Sequence, residues 1–245
     1  MPATRQAITE VPQVPPFNRI RVRDQVPPLK KPPLKNGDRL TRSEFERRYH
    51  TMPQIKKAEL IEGVVYMSSP VRVKHHALPH AHIVTWLGVY SAVTPKIMLC
   101  DNATVRLDLD NEPQPDALLR LEKGQSRISH DDYLEDAPEL VVEIAASSAD
   151  YDLHGKLQVY QRNGVQEYIV WEYKKRRLYW FAQMKGTYVP LSPDKSGIIC
   201  SQIFPGLHLD IKALLAGDLN KVLTELQKGL ATPEHTAFVE RLSQN

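Results

Sequence analysis

Apolar residues follow two different spacings along the chain, and these spacings predict a mixture of helices and strands. Between Pro79 and Pro95 they recur every three or four positions, which is typical of a helix with one buried face. Alternating apolar and polar residues at 104–109 predict a half-buried strand. The apolar runs at 140–145, interrupted only by one acid, and at 168–171 predict strands covered on both faces. This combination indicates an α/β fold with a mixed β-sheet flanked by helices.

Local signals predict the remaining elements. A T-x-x-E capping box starts a helix, a Glu-Gly pair between two short apolar runs forms a hairpin, and an Asn-Gly pair stops a helix. The predicted elements are a helix at 42–50 behind Thr41–Glu44, a hairpin of strands at 58–61 and 64–68, a turn at 111–115, a strand at 117–119, a loop at 122–137, a helix at 151–162 ended by Asn163-Gly164, strands at 177–182 and 187–191, and helices at 210–229 and 234–242.

The N-terminal segment differs from the rest of the chain. Residues 1–36 hold eight prolines and seven Lys/Arg against two acids, whereas the remainder carries 25 basic and 27 acidic residues. Because proline excludes helices and central strands, we predict a Pro-rich basic arm at 1–36, extended or disordered. A folded domain at 37–212 and a C-terminal helical extension at 213–245 follow. The basic arm either contacts phosphates or is a solvated tail.

Composition favours a cytoplasmic protein over an exported or membrane protein. The two cysteines, Cys100 and Cys200, have no CxxC spacing and form no disulfide framework. No apolar run reaches the roughly 18 residues that a membrane-spanning helix needs, and the N-terminus lacks a hydrophobic signal core. We therefore expect a cytoplasmic protein without a membrane partner.

Three acids occupy positions where predicted strands should carry apolar residues. These are Glu59 in A-E-L-I-E-G, Asp116 in Q-P-D, and Glu143 in V-V-E-I-A. A buried carboxylate is costly unless it is paired, protonated or bound to a metal. The structural alternatives are an arginine partner for Glu59 across the hairpin and a turn role for Asp116.

Oxygen ligands from neighbouring strands suit Mg²⁺ or Mn²⁺, which retain waters alongside protein ligands. Asp116, Glu143 and the backbone carbonyl of Ile144 could form one face of such a site, leaving positions for water and a phosphate oxygen. Lys156 lies on the following predicted helix, where it could assist the attacking water. Tyr160, four residues later, shares its helix face. The alternative for Lys156 is an ordinary surface lysine.

Four motifs in combination resemble the Uma-type restriction-endonuclease family of the PD-(D/E)XK nuclease superfamily, over roughly residues 38–212. The motifs are A-E-L-I-E-G at 58–63, Q-P-D at 114–116, P-E-L-V-V-E-I at 138–144, and K-L-x-x-Y-x-x-x-G-V-x-E-Y-x-x-W at 156–171. The resemblance implies a restriction-endonuclease-like fold.

The resemblance also implies roles for individual residues. Asp116 and Glu143 would be metal ligands, and Glu59 an additional acid of the site. The superfamily's lysine two positions after the glutamate is replaced here by Ala145, and the family's alternative lysine on the next helix maps to Lys156. The small residues Ala146-Ser147-Ser148 stand where family members often have S-P-S.

The densest histidine group comprises His75, His76, His80 and His82. Zinc binding would need converging ligands, and Pro79 splits the group, so His76 and His80 need not share a helix face. His80 and Tyr160 are candidates for the substrate side of the cleft. The basic run 174–177 is read as a hairpin turn with solvated charges, or as a phosphate contact. The tryptophans are assigned to the core.

These observations predict a Mg²⁺-dependent endodeoxyribonuclease that hydrolyses phosphodiester bonds in DNA, with Glu59, Asp116, Glu143 and Lys156 as catalytic residues. A homodimer would allow cleavage of both strands. The first alternative is a non-catalytic nucleic-acid-binding or regulatory module that retains the nuclease fold. The second is a structural partner that binds through the leucines of its C-terminal helices.

Overall fold

The structure, a computed structural model, describes residues 32–67, 70–145 and 151–244. Residues 1–31 of the predicted arm, the predicted strand end at Ser68 and the turn at 146–148 lie outside the described residues. The helices are α1 (Arg42–Tyr49), α2 (Leu78–Val93), α3 (Leu157–Asn163), α4 (Ile211–Ala216), α5 (Leu219–Leu230) and α6 (Pro233–Gln244), and π-helical turns precede α2 (Val73–Ala77) and α3 (Asp152–Lys156). The strands are β1 (Ala58–Ile61), β2 (Val64–Met67), β3 (Ile97–Asp101), β4 (Val105–Arg106), β5 (Ala117–Leu121), β6 (Arg127–Ile128), β7 (Leu134–Glu135), β8 (Leu140–Ala145), β9 (Glu167–Glu172), β10 (Arg177–Met184), β11 (Thr187–Pro190), β12 (Ile198–Cys200) and β13 (His208–Asp210).

A six-stranded mixed sheet in the order β11-β10-β9-β8-β5-β3 forms the centre of the fold. Strands β8 and β9 are parallel and are connected through α3, and every other neighbouring pair is antiparallel. A parallel pair requires a crossover connection, which the helix supplies. The predicted fold class, a mixed sheet flanked by helices, is confirmed.

Strand β8 is buried on both faces, as its apolar run predicts. Leu140, Val142 and Ile144 pack in the core that includes α2, and Val141 and Ala145 pack in the core that includes α3. Because side chains alternate between the faces of a strand, Glu143 lies on the α3 side among apolar residues. The sheet therefore places a carboxylate inside its own covered face.

The hairpin β1–β2 joins the sheet region through an isolated bridge between Leu60 and Glu112. Its turn residues Glu62 and Gly63 both have positive φ, at 54° and 69°, which fits a two-residue turn matched to strand twist. A small core forms beneath the hairpin; its buried members are Leu34, Phe45, Ala58, Leu60 and Val65. Leu34, in the range predicted as the arm, is thus buried in this core.

The capping box at the start of α1 forms only in part. The Thr41 hydroxyl accepts a hydrogen bond from the Glu44 backbone N–H at 3.4 Å. The Glu44 carboxylate accepts hydrogen bonds from Arg47 and Arg48. The helix nevertheless begins where the motif predicts.

In the segment 97–137, two predictions differ from the structure and one strand was not predicted. The predicted strand at 104–109 ends at Arg106, because the Asp108 carboxylate accepts hydrogen bonds from Asp110 N and Asn111 Nδ2 and closes a turn. The predicted loop at 122–137 contains β6 and β7, which pair with β4 in a separate three-stranded sheet. Strand β3 was not predicted, since its partner β5 lies 20 residues further along the chain.

The predicted helix at 210–229 is two helices, α4 and α5. Gly217 ends α4 in the left-handed conformation at φ +79°, and the Asp218 side chain caps α5 by accepting from Lys221 N. The C-terminal helices then pack on the main core; their buried apolar members are Ala213, Leu214, Val222, Leu226 and Phe238. These residues cover the protein's own sheet.

The aromatic residues Trp86, Trp171 and Trp180 are at most 2% exposed, as predicted for core residues. The basic run 174–177 spans the turn between β9 and β10 and the first residue of β10. Within the described ranges, no helix combines the length and apolar character needed to cross a bilayer.

Gly164 provides a test of the stop signal that ends α3. It has φ +87°, and an added Cβ would meet only Gln125 Oε1 at 3.5 Å, so Gly164→Ala should destabilise the fold by about 1–2 kcal/mol through backbone strain alone. Gly88→Ala, in the middle of α2 with ordinary contact to Leu99 Cδ2 at 3.6 Å, should stabilise it by about 0.5–1 kcal/mol. Urea denaturation measures the free energy of unfolding of both variants. Changes of the same sign in the two variants would contradict the assignment of Gly164 as a left-handed helix stop.

Candidate active site

The Lys156 ammonium lies between two buried carboxylates from different parts of the fold. Its Nζ is 2.8 Å from Glu59 Oε1 on β1 and 2.8 Å from Glu143 Oε1 on β8, and 3.9 Å from Asp152 Oδ1. The Lys156 side chain is only 3% exposed. The interpretation of Lys156 as a surface residue is therefore wrong, and the partner of Glu59 is this lysine and not an arginine.

Tyr160 approaches Glu143 from the same side as Lys156. The Tyr160 hydroxyl donates to Glu143 Oε1 at 2.9 Å, and its ring lies 4.9 Å from that of Tyr168 between centroids. Lys156 ends the π-helical turn and Tyr160 lies one turn later in α3. The spacing of four residues places both groups on one carboxylate oxygen, as the shared helix face predicts.

Asp116 is opposite Glu143 in the sheet. Ala117 pairs with Val142 in the antiparallel register, so the position before Ala117 faces the position after Val142. Asp116 Oδ2 accepts a hydrogen bond from Ile144 N at 2.8 Å. The β5–β8 pairing thus brings the two predicted metal ligands together, although residue 116 is 27 positions before residue 143.

Two further groups on Asp116 were missed from the sequence. Lys57 Nζ is 3.3 Å from Asp116 Oδ1, and His76 Nε2 is 3.2 Å from Asp116 Oδ2. Lys57 precedes Glu59 by two positions, and alternate residues of a strand share a face, so this signal was available.

The histidines are arranged differently from the expectation that Pro79 separates them. The π-helical turn runs directly into α2, and Pro79 is the second residue of α2. The rings of His76 and His80 consequently stack at 5.8 Å between centroids. His80 Nε2 lies 2.8 Å from the Asp116 carbonyl oxygen and 2.9 Å from Asp101 Oδ1, so His80 braces the backbone of Asp116.

The electrostatics keep Asp116 ionised. Burial raises its pKa, but the hydrogen bond from His76 and the charge of Lys57 outweigh burial and hold the pKa below its usual range. Burial acts to lower the pKa of Lys57, and the nearby carboxylates raise it above its usual value. Asp116 is therefore a charged carboxylate at neutral pH.

The second carboxylate is held differently. Burial raises the pKa of Glu143 to about 8, although the Lys156 ammonium opposes the shift. Burial acts to lower the pKa of Lys156, but Glu143 and Glu59 outweigh it and raise that pKa well above its usual value. Lys156 remains an ammonium, and it is the positive charge that stabilises the buried acids.

The donor set at this end of the sheet fits a hard divalent cation. Asp116 and Glu143 supply carboxylate oxygens, and Ile144 supplies a backbone carbonyl beside them. Within the described residues, no group of three or more His, Cys, Asp and Glu side chains is arranged to hold a metal ion. Mg²⁺ needs no such cage, because it is usually bound by one or two carboxylates together with waters and substrate phosphates.

Lys156→Met should destabilise the fold by about 3–5 kcal/mol, because it leaves two buried carboxylates without their counter-charge. Adding Glu59→Gln and Glu143→Gln should recover part of this loss, since a neutral cluster needs no ammonium. Lys195→Met, at an exposed lysine, is the control and should change stability by less than about 0.5 kcal/mol. Chemical denaturation measures all three proteins, and a loss below about 1 kcal/mol for Lys156→Met would contradict the importance of these ion pairs.

Comparison with known proteins shows the family to which this chain belongs. The family model Uma2, described as "putative restriction endonuclease", matches residues 42–212. The crystal structure titled as a putative nuclease belonging to DUF820 from Anabaena variabilis ATCC 29413 is similar in fold, with a TM-score of 0.55, 12% identity, and coverage of 70% of this chain and 97% of that chain. A search of curated proteins found no match. Since the family model matches well over half of this chain, the chain belongs to the Uma2 family.

Proposed function

We propose that the protein is a metal-dependent endonuclease that hydrolyses phosphodiester bonds in DNA. The observation that carries the proposal is the buried contact of Lys156 with Glu59 and Glu143, on the sheet face where Asp116 also lies. Buried charges of this kind are expensive for a purely structural role and are concentrated at functional sites. Membership of the Uma2 family supports the same activity.

Asp116, Glu143 and the Ile144 carbonyl would hold Mg²⁺ or Mn²⁺. The cation supplies a water of lowered pKa and neutralises charge on the phosphate that is attacked. Asp116 contributes a full negative charge, because His76 and Lys57 keep its carboxylate ionised. We assign Asp116 and Glu143 as the side-chain ligands on these grounds.

Lys156 provides the positive charge beside the reacting groups. Glu59 and Glu143 fix its ammonium, and Glu59 is itself fixed by a hydrogen bond from Gln114 N at 2.7 Å. A fixed ammonium in a water-poor site stabilises developing negative charge without reorganising during the reaction. In this proposal Lys156 assists the attacking water, and Glu59 orients Lys156.

Tyr160 and His80 position the ligands. The Tyr160 hydroxyl holds the carboxylate of Glu143. His80 Nε2 contacts both the backbone carbonyl of Asp116 and the side chain of Asp101, and so holds the Asp116 backbone in place. We propose that the exposed part of His80 also faces the substrate. A homodimer, in which two such sites cut opposite strands, is part of the same proposal.

The test combines calorimetric titration of Mn²⁺ with cleavage of supercoiled plasmid on the same preparations. Wild type should bind Mn²⁺ and nick the plasmid, and Asp116→Ala should lose both, with cleavage reduced at least about 100-fold. Asp110→Ala, which removes an exposed carboxylate from the turn before β5, is the matched control and should retain both activities.

The result also separates the enzyme from its alternative. Mn²⁺ binding and DNA binding without cleavage of any DNA would indicate a non-catalytic module that retains the fold. The absence of Mn²⁺ binding in wild type would contradict the proposed metal site and leave the acids with structural roles.

A further inference from the structure

A cavity lies near the candidate active site, between the π-helical turn before α2 and the turn that joins β9 to β10. Its volume is about 300 Å³, within the range of pockets that hold small ligands. Its lining residues, which define what we call the rim pocket, are His75, Trp171, Tyr173, Lys174, Arg176 and Leu215. None of these residues has a role in the proposed hydrolysis.

One covalent link and one backbone hydrogen bond place the rim pocket next to the candidate metal ligands. His75 directly precedes His76, whose Nε2 is 3.2 Å from Asp116 Oδ2. On the other side, Tyr173 N donates to the carbonyl of Ala145 at 3.2 Å, two residues after Glu143. The parallel strands β8 and β9 both end here, and the carboxyl ends of parallel strands are a common location for ligands.

The indole N–H of Trp171, which lines the rim pocket, is buried. Trp171 is only 2% exposed. Its indole N–H has no hydrogen-bond partner in the part of the chain that the structure describes. Buried donors without partners are rare in folded proteins and call for an explanation such as a ligand. An acceptor on a bound molecule would satisfy this group.

The other lining residues indicate what such a molecule contains. The Tyr173 ring lies 6.0 Å from His75 and 5.8 Å from Trp171 between centroids, which makes one wall aromatic. Lys174 is exposed and forms no ion pair within the described ranges, and Arg176 reaches the rim, where its guanidinium donates to Leu215 O at 3.1 Å. Aromatic rings stack on nucleobases, and cations at the rim attract phosphates.

We propose that the rim pocket binds one unpaired nucleotide of the DNA substrate, adjacent to the phosphate that is cleaved. The base stacks on the wall formed by Tyr173 and His75, a base acceptor takes the Trp171 N–H, and Lys174 and Arg176 bind the flanking phosphates. A base within duplex DNA is stacked and cannot enter such a pocket, so the preferred substrate carries a tail, a flap or another unpaired residue. This inference rests on the proposed nuclease function.

Fluorescence anisotropy in EDTA tests the inference independently of cleavage. The probes are a labelled DNA hairpin with a blunt end and the same hairpin with a short unpaired 3′ or 5′ tail. Wild type should bind at least one tailed hairpin about 5- to 150-fold more tightly than the blunt one, as expected for stacking of one base. Trp171→Phe and Lys174→Gln should reduce this preference at least about threefold while retaining affinity for the blunt hairpin.

The control is Lys185→Gln, which removes an exposed lysine at the opposite end of β10 and should preserve the preference. Because Lys174 is exposed, its substitution tests the pocket even if Trp171→Phe fails to fold. Equal binding of tailed and blunt hairpins by wild type, or equal effects of Lys174→Gln and Lys185→Gln, would overturn the rim pocket.

The same experiment separates this inference from the proposed catalytic activity. Asp116→Asn should lose plasmid cleavage and keep the preference for tailed DNA, because Asp116 does not line the pocket. Cleavage by wild type without any preference for tailed DNA would overturn the pocket alone. Wild type that binds neither hairpin would overturn the pocket and the DNA nuclease function together.

Discussion

The charge on Lys156 is the constraint on which the site and much of the fold depend. Its ammonium contacts both Glu59 of the β1–β2 hairpin and Glu143 of the central sheet. Lys156 is 97 residues from Glu59 and 13 residues from Glu143 in the sequence. A buried, ionised carboxylate is costly unless an opposite charge or hydrogen bonds compensate it. The hairpin must therefore dock on the sheet, and the crossover between β8 and β9 must place its π-helical turn above Glu143. The arrangement that stabilises the fold is also the one on which the proposed cation site rests.

The two faces of the sheet differ in composition: one is covered by a continuous apolar core, and the other also contains the buried charges of the candidate site. On one face, α2 and the C-terminal helices bury a continuous apolar core around Trp86 and Trp180. On the other face, the apolar core around Tyr168 is interrupted by Glu143, and the site lies there, between the sheet, the π-helical turn and the hairpin. Because the first face carries most of the hydrophobic stabilisation, the second can hold charged groups that are unfavourable in a core.

The sequence predicted most local elements and the grouping of Glu59, Glu143 and Lys156, but it did not predict every contact between distant segments. The burial of β8 on both faces and the helix stop at Gly164 follow from short segments, so both could be predicted. The acids were conspicuous because they interrupt apolar strands. The contact of His76 with Asp116 was not predicted, because the helix was expected to start at Pro79, which separates His76 from His80 in the sequence. The hydrogen bond from Tyr173 N to the Ala145 carbonyl depends on the pairing of two strands, which no short segment encodes.

The central claim is that Asp116 and Glu143 hold a divalent cation at the end of the sheet. Anomalous diffraction from a crystal soaked in Mn²⁺ tests it most directly, because it locates the ion without reference to activity. We expect one strong peak at about 2.0–2.3 Å from carboxylate oxygens of Asp116 and Glu143 and from the Ile144 carbonyl. A peak on the histidine pair His76 and His80 without these carboxylates, or no ordered peak near Asp116 and Glu143, would contradict it.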